Sequence, residues 1–157
     1  MKCTLIGHAC WLIQTDINIL FDPLLHDPNQ ANCFEVHPTR KVDLEKFPRI
    51  DVIIISHRHL DHFDVKSLAG LPRHVEVLYP DDELITCALN ELGFENSSKI
   101  EDWTTVVVGN TRITATPSDN KVPEHGFVVQ YGDWKIWNQV DTQISTQCVK
   151  QVHRMFG

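Results

Sequence analysis

A continuous apolar run constrains this chain more than any other feature. Residues 51–56 read Asp-Val-Ile-Ile-Ile-Ser, and the β-branched side chains in the run favour an extended backbone. Because no polar residue alternates with them, the run predicts a strand that is buried on both faces, as in the middle of an α/β sheet. The residues after such a strand lie at the carboxyl edge of the sheet, where α/β folds place their functional sites.

The segment that follows this strand is rich in metal-binding side chains. Positions 57–62 read His-Arg-His-Leu-Asp-His, which is three imidazoles and a carboxylate in six residues. His57 and His59 are two residues apart, so an extended backbone directs both side chains the same way. Asp61 and His62 come as the chain turns, and they can face a second point nearby. Neutral imidazoles with carboxylates suit Zn²⁺, Fe²⁺ or Mn²⁺, so the segment predicts a site for one or two such ions.

The rest of the chain alternates short strands with helices. Helices are expected at residues 65–70, from Pro-Asp-Asp at residues 80–82 to a stop at Gly93, and over residues 142–156. Strands before, between and after these helices predict an α/β fold with mixed sheets and outer helices. A polar loop over residues 24–49 has the length of a functional or covering segment. Strands are expected at residues 4–6, 11–14, 17–21, 51–56, 75–79, 104–108, 111–116, 127–131 and 135–137.

Length and charge limit the partners of the chain. With 157 residues, a single domain over residues 1–157 is expected. The formal net charge of −7 argues against nucleic-acid and anionic-membrane partners, and the sequence shows neither an apolar stretch of membrane-spanning length nor a signal peptide. The five scattered cysteines predict reduced thiols in a cytoplasmic protein. We expect a small-molecule substrate.

These motifs resemble the metallo-β-lactamase superfamily, whose signature is H-x-H-x-D-H. The resemblance also includes Gly-His-Ala-Cys at residues 7–10, Leu-Phe-Asp-Pro at 20–23 and Asn-Gln-Val-Asp-Thr at 138–142, where the family usually has a Gly-Asp-Thr segment. It is closest to the lactonase-like branch of metal-dependent hydrolases. The resemblance implies an αββα sandwich, here with a shortened C-terminal part.

The resemblance also implies roles for particular residues. His57 and His59 would bind a first metal, Asp61 and His62 a second, and Asp141 would bridge the two. One or two Zn²⁺ ions, or alternatively Fe²⁺ or Mn²⁺, would lower the pKa of a shared water and create a hydroxide nucleophile. Asp61 is also the expected catalytic residue, because it could take up or pass on a proton.

Two residues further from the motif also lie near the expected site. The resemblance places His8 at the mouth of the metal site, either contacting substrate or supporting a metal ligand, whereas the alternative is a histidine satisfied within a turn. Asp22 would orient a ligand histidine or cap a turn.

The third histidine of the first metal is missing from its usual place. The family supplies it from the loop before the strand at residues 127–131, near Ser118 or Asp119. We therefore expect Asp119 or His125 as the ligand, with Glu124 as a further candidate. The alternative is that Asp119 makes a turn and His125 lies on the surface. A carboxylate here would shift the preference from zinc toward iron or manganese.

Three functions are compatible with these motifs. The first is a hydrolase that uses a metal-bound hydroxide on a small ester, lactone or phosphoester. The second is a non-haem di-iron oxidase or oxygenase of the same fold. The third is a shortened, catalytically inactive module for binding or assembly. Because the family usually continues further past the position of Asp141, a second chain of a homo-oligomer could complete the second metal site.

Overall fold

Strands and helices alternate along the computed structural model, which describes residues 1–30, 33–35, 37 and 42–157. Part of the polar loop expected at residues 24–49 therefore lies outside the described residues. A single 3-10 turn, Leu44–Lys46, belongs to its described part. The strands are β1 (Lys2–Gly7), β2 (Cys10–Gln14), β3 (Asn18–Phe21), β4 (Val52–Ile54), β5 (Glu76–Tyr79), β6 (Asn96–Lys99), β7 (Thr105–Val108), β8 (Thr111–Pro117), β9 (His125–Tyr131) and β10 (Trp134–Asn138), and the helices are α1 (Val65–Ala69), α2 (Glu83–Leu92) and α3 (Thr146–Phe156).

The strands form two sheets. The first has the order β1-β2-β3-β4-β5-β6, in which β1, β2 and β3 pair antiparallel and β3 to β6 pair parallel. The second has the order β10-β9-β8-β7 and is antiparallel throughout. The mixed first sheet agrees with the expectation from sequence, because parallel strands need the crossover connections that α1 and α2 provide.

The two sheets pack face to face with helices outside. Between the sheets, Val52 and Ile54 of β4 belong to one buried cluster with Phe127 and Val129 of β9. On the opposite face of β4, Ile53 packs in a second cluster that includes side chains of α1 and α2. The strand is therefore buried on both faces, and full burial of one such side chain contributes about 1.5–3 kcal/mol.

Helix α3 covers the outer face of the second sheet. Its buried residues Cys148 and Val152 pack against Val128 of β9. The layer order is thus helices, sheet, sheet, helix, and the αββα sandwich predicted from the sequence is confirmed. Of the helices in the described part of the chain, even the longest has 11 residues and falls well short of the length needed to cross a bilayer.

Local sequence signals set the helix ends. The Asp82 side chain accepts hydrogen bonds from the backbone N–H groups of Leu84 and Ile85 at the start of α2. Gly93 ends the same helix with a left-handed φ of 76°, a conformation that glycine adopts without strain. Ser145 caps α3, which begins at Thr146 rather than near residue 142.

One strand was not expected from the sequence. β6 reads Asn-Ser-Ser-Lys and lies at the edge of the first sheet, mostly exposed to solvent. It carries no apolar alternation, and backbone pairing with β5 alone defines it.

All five cysteines lie among the described residues, and none of them forms a disulfide.

Candidate metal centre

The sandwich brings several strand ends to one edge. Asp22 follows β3 and His57 follows β4, and the two strands run parallel, so both residues lie at the same edge of the first sheet. In the second sheet, β8 and β10 both pair antiparallel with β9 and therefore end at the same edge. The backbone N–H of His125 donates to the carbonyl of Ser56 at 3.2 Å, which joins the two sheets at this place. Asp141 follows β10 here.

The first two motif histidines face each other. Nε2 of His57 lies 2.8 Å from Nδ1 of His59, and their ring centroids are 4.5 Å apart. His57 is fully buried, whereas His59 is exposed. Burial, reinforced by the nearby His62, lowers the pKa of His57 below its ordinary value. His57 is therefore neutral at pH 7, as a metal ligand must be.

Ser56 sets the tautomer of His57. The Ser56 hydroxyl donates to Oδ2 of Asp22 at 2.8 Å and accepts from Nδ1–H of His57 at 2.9 Å. With its proton held on Nδ1, His57 directs the lone pair of Nε2 toward His59. This is the support that histidine ligands of metals usually have, in which the second ring nitrogen is held by a hydrogen bond.

His62 is held by the same carboxylate. Its Nδ1–H donates to Oδ2 of Asp22 at 2.9 Å, and both side chains are buried. Burial lowers the pKa of His62, but the hydrogen bond and charge of Asp22 outweigh burial, so the net pKa lies above its ordinary value. The free Nε2 lies 3.4 Å from Oδ2 of Asp141 and 3.6 Å from Oδ2 of Asp61.

Asp22 is thus the common support of both histidines. It also accepts a hydrogen bond at 2.7 Å from the backbone N–H of Ser56 through Oδ1. A fully buried carboxylate needs several donors to offset its desolvation, and these three contacts provide them. Its backbone has a φ of 40°, in the left-handed region that non-glycine residues rarely adopt.

Two overlapping groups of donor atoms have spacings that suit a metal ion. One ligand atom from each of His57, His62 and Asp141 lies within 4.8 Å of the other two, and the same holds for His8, Asp61 and His62. Ligands at about 2.0–2.2 Å from a tetrahedral ion are about 3.3–3.6 Å apart, so the separations of Asp61 and Asp141 from His62 fit such an ion.

His8 contacts the carboxylate of the motif. Its Nε2–H donates to Oδ2 of Asp61 at 2.9 Å, and its ring lies edge-to-face with His62 at 5.7 Å. Burial raises the pKa of Asp61, but the hydrogen bond from His8 and the nearby His62 lower it by a larger amount, so the net pKa is below its ordinary value. Asp61 is therefore ionised at neutral pH and available to a cation.

The loop before β9 brings Glu124 close to His57. Oε1 of Glu124 lies 3.7 Å from Nδ1 of His57, and both side chains are buried. Oε2 accepts hydrogen bonds from Ser118 at 2.8 Å and from Asn120 at 2.5 Å. The loop therefore holds a carboxylate, fixed in orientation, beside the first motif histidine.

Asp119 and His125 are not among the side chains brought together. Asp119 borders a cleft beside α3 with Trp103 and Cys148. His125 begins β9, and its Nε2–H donates to the carbonyl of Ile100 at 2.9 Å, while its Nδ1 lies 3.2 Å from Asp102. Neither residue occurs in a potential metal-binding group within the described part of the chain. Their assignment as ligands stays a prediction.

Ser56 was not expected from the sequence to be functional. Its position between the buried strand and the first motif histidine is the signal that could have identified it. Of the residues singled out from the sequence, the structure brings together at this edge His8, Asp22, His57, His59, Asp61, His62 and Asp141.

Comparisons with known proteins show which family this chain resembles. The family model for the β-lactamase superfamily domain matches residues 2–145. A UPF0173 metal-dependent hydrolase from Salinibacter ruber is 31% identical over 153 residues, which cover 90% of this chain and 62% of that protein. A candidate Rieske 2Fe-2S iron-sulfur protein from Mycolicibacterium smegmatis is 26% identical over 155 residues, covering 91% of this chain and 30% of that protein.

A solved structure has the same fold. CmlA, a diiron β-hydroxylase from Streptomyces venezuelae, superposes with a TM-score of 0.77 at 23% identity, over 99% of this chain and 32% of the other. This chain therefore spans about a third of the length of CmlA and of the mycobacterial relative, and about three-fifths of the length of the S. ruber hydrolase.

Proposed function

Because this chain belongs to the β-lactamase superfamily, we propose that it binds one or two divalent transition ions and hydrolyses a small ester, lactone or phosphoester. The observation that carries the proposal is the convergence of His57, His62 and Asp141, whose ligand atoms lie within 4.8 Å of one another. The Salinibacter relative, named a metal-dependent hydrolase, supports the same reaction class.

The donor set fits a metal ion. Nδ1 of His57 is held by Ser56 and Nδ1 of His62 by Asp22, so each of these rings leaves Nε2 free for a cation. Nε2 of His57 and Nδ1 of His59 lie 2.8 Å apart, so a cation in place of a proton between them would be bound by both nitrogens. The carboxylates of Asp61 and Asp141 near His62 would offset the charge of a second ion.

Each residue has a proposed task in this site. His57 and His59 bind the first ion, Asp61 and His62 bind the second, and Asp141 lies between them. A bound divalent ion lowers the pKa of its water toward neutrality and so supplies a nucleophile. The side chain of Asp61 is partly exposed, so it can also exchange protons with solvent and act as a proton acceptor near the reacting group.

Asp22 and Ser56 keep these ligands in one protonation state. They hold protons on the Nδ1 atoms of His57 and His62, so these protons do not compete for the metal-facing nitrogens. Their buried position also excludes water from the back of the site. We therefore assign them a positioning role.

A second candidate function, a non-haem di-iron oxidase or oxygenase, is favoured by Glu124. This buried carboxylate, and not an imidazole, is the group that the loop places beside His57, where it lies on the Nδ1 side of the ring and adds negative charge behind the ligand. A more anionic first site favours iron or manganese over zinc. CmlA, the structural neighbour described as a diiron β-hydroxylase, is compatible with this alternative.

Metal reconstitution separates the two functions. Metal-free protein is supplied separately with Zn²⁺, Mn²⁺ or Fe²⁺ and assayed on a nitrophenyl ester, a butyrolactone and bis(p-nitrophenyl) phosphate. The hydrolase proposal predicts metal-dependent turnover of at least one probe that is lost in the His59→Ala/Asp61→Ala variant and kept in the control His74→Ala, since His74 is exposed and lies outside the motif.

The same experiment with Fe²⁺ also shows which results would favour the di-iron oxidase over the hydrolase. Two iron ions per chain, oxygen consumption with a reductant and no hydrolysis would overturn the hydrolase proposal in favour of the oxidase. Less than one metal per chain together with no turnover would overturn both, and would favour a binding or assembly module.

A further inference from the structure

A histidine from the N-terminal turn reaches the second part of the site. His8 lies between β1 and β2, and its Nε2 is 2.9 Å from Oδ2 of Asp61, 53 residues further along the chain. The pairing of β1 with β2 shifts register between Leu5 and Gly7, just before His8. This irregular turn carries the imidazole over the motif.

The backbone of this turn is held in an unfavourable conformation. His8 has a φ of 53°, in the left-handed region that residues other than glycine rarely adopt. Contacts with the surrounding residues must stabilise such a backbone conformation. Here they are the hydrogen bond to Asp61 and the edge-to-face contact with His62.

The donor atoms around Asp61 have the spacing of a metal site. Ligand atoms of His8, Asp61 and His62 all lie within 4.8 Å of one another. The separation of Asp61 Oδ2 from His62 is 3.6 Å, within the spacing of about 3.3–3.6 Å between ligands of a tetrahedral ion, and its separation from His8 is shorter, at 2.9 Å. Small side-chain shifts bring all three atoms to bonding distance of one cation.

We propose that His8 is a ligand of the second metal and binds it through Nε2 beside Asp61 and His62. The inference rests on the proposed metal-dependent function. On metal binding, the proton leaves Nε2 of His8 and, through exchange with solvent, one is taken up at Nδ1, so the ring stays neutral and the lone pair of Nε2 forms the bond to the cation.

The proposal changes the composition of the second site. Without His8, its only nitrogen ligand is His62, and the remaining ligands are the carboxylates of Asp61 and Asp141. With His8, the site has the imidazoles of two histidines and the carboxylates of two aspartates, a set that suits zinc, iron and manganese. The two carboxylates also balance the charge of a divalent ion.

A direct test detects the nitrogen–metal bond. The full chain, with ring-¹⁵N-labelled histidine, is loaded with ¹¹³Cd²⁺, and one-bond ¹¹³Cd–¹⁵N couplings are recorded by NMR. The proposal predicts a coupling at Nε2 of His8, identified by its loss in His8→Ala and its retention in the control His74→Ala. Couplings at His57 and His62 without one at His8 would overturn this inference and leave the proposed function standing. Absence of cadmium binding by the parent chain would overturn the proposed function and, with it, this inference.

A second measurement separates a ligand from a hydrogen-bond donor. Loss of a partner that only supports a ligand typically weakens metal binding 10–100-fold, so removal of a ligand should weaken the second zinc at least about 100-fold. His8→Gln keeps an N–H donor for Asp61 but lacks the imidazole. The proposal predicts that His8→Gln binds the second zinc as weakly as His8→Ala. Recovery of the parent affinity in His8→Gln would show that His8 only donates to Asp61, and would overturn the proposal.

Discussion

Oδ2 of Asp22 lies 2.9 Å from Nδ1 of His62, although the two residues are 40 positions apart in the chain. The same oxygen accepts the hydroxyl of Ser56, which in turn holds His57. One buried carboxylate therefore fixes the tautomers of a histidine in each half of the proposed centre. Removal of its charge should disturb both halves together.

Asp22→Asn should weaken metal binding by about 10–100-fold, the usual effect of losing a group that orients a ligand histidine. The amide keeps the volume of the carboxylate but carries no charge and offers only one acceptor oxygen for three donors. Isothermal titration with zinc measures the change. Asp51→Asn is the matched control, because Asp51 accepts from the backbone N–H of Asn18 at the opposite end of β3 and β4. Equal affinity in the parent and Asp22→Asn would contradict the role of Asp22.

Metal affinity should depend on pH through His62. Since the pKa of His62 is raised by Asp22, its metal-facing nitrogen becomes protonated at a higher pH than in an ordinary histidine, whose pKa is 6.5. As pH falls through this raised pKa, protons compete with the metal and the dissociation constant rises. The break in a plot of log Kd against pH should therefore lie above 6.5 and move to lower pH in Asp22→Asn. A break that does not move would exclude Asp22 as the cause.

Separate replacement of the two loop carboxylates, Glu124 and Asp119, by their amides tests which of them affects binding of the first metal. Glu124→Gln should lower the affinity for the first ion and shift the preference from iron or manganese toward zinc, because a charged group beside His57 is lost. Asp119→Asn should leave both unchanged, because Asp119 faces the cleft beside α3. Metal analysis of the two purified variants measures both effects. Loss of metal in Asp119→Asn but not in Glu124→Gln would identify Asp119, one of the ligands expected from the sequence, as the ligand of the first metal.

Asp16 should stabilise the sandwich at neutral pH and not in acid. Hydrogen bonds from the Thr111 hydroxyl and the Asn110 backbone N–H, each 2.6 Å long, lower the pKa of Asp16 and tie the β2–β3 turn to the β7–β8 turn. A lowered folded-state pKa contributes stability above the ordinary value of 3.8, and this is lost as pH falls through the folded-state value. Asp16→Asn should therefore lower the thermal midpoint at pH 7, with the difference closing in acid. Asp133→Asn, in an exposed turn, is the control and should shift little at either pH.

The central part of this site has local signals in the sequence. The apolar run before His57 carries its own signal for a buried strand, and the spacing of His57 and His59 places them on one side of an extended backbone. The layered fold follows because the run, the capped helix α2 and the later alternating strands each have local signals.

The remaining features depend on contacts between distant segments. The contact of Asp22 with His62 needs the parallel pairing of β3 with β4, and the contact of His8 with Asp61 needs the irregular β1–β2 turn. The resemblance to the family predicts Asp119 or His125 as the ligand from the loop before β9, with Glu124 as a further candidate. In the structure β9 begins at His125 and Ile100 accepts its ring N–H, so Glu124 is the residue that faces His57.

The metal content of the folded chain tests the proposed centre most directly. The parent protein and the His59→Ala/Asp61→Ala variant are dialysed against buffer containing zinc, iron or manganese, freed of unbound ions and measured by inductively coupled plasma mass spectrometry. We predict one to two equivalents of metal in the parent and close to none in the variant, with unchanged circular dichroism. Equal metal in both proteins, or none in the parent at neutral pH, would contradict the existence of this centre.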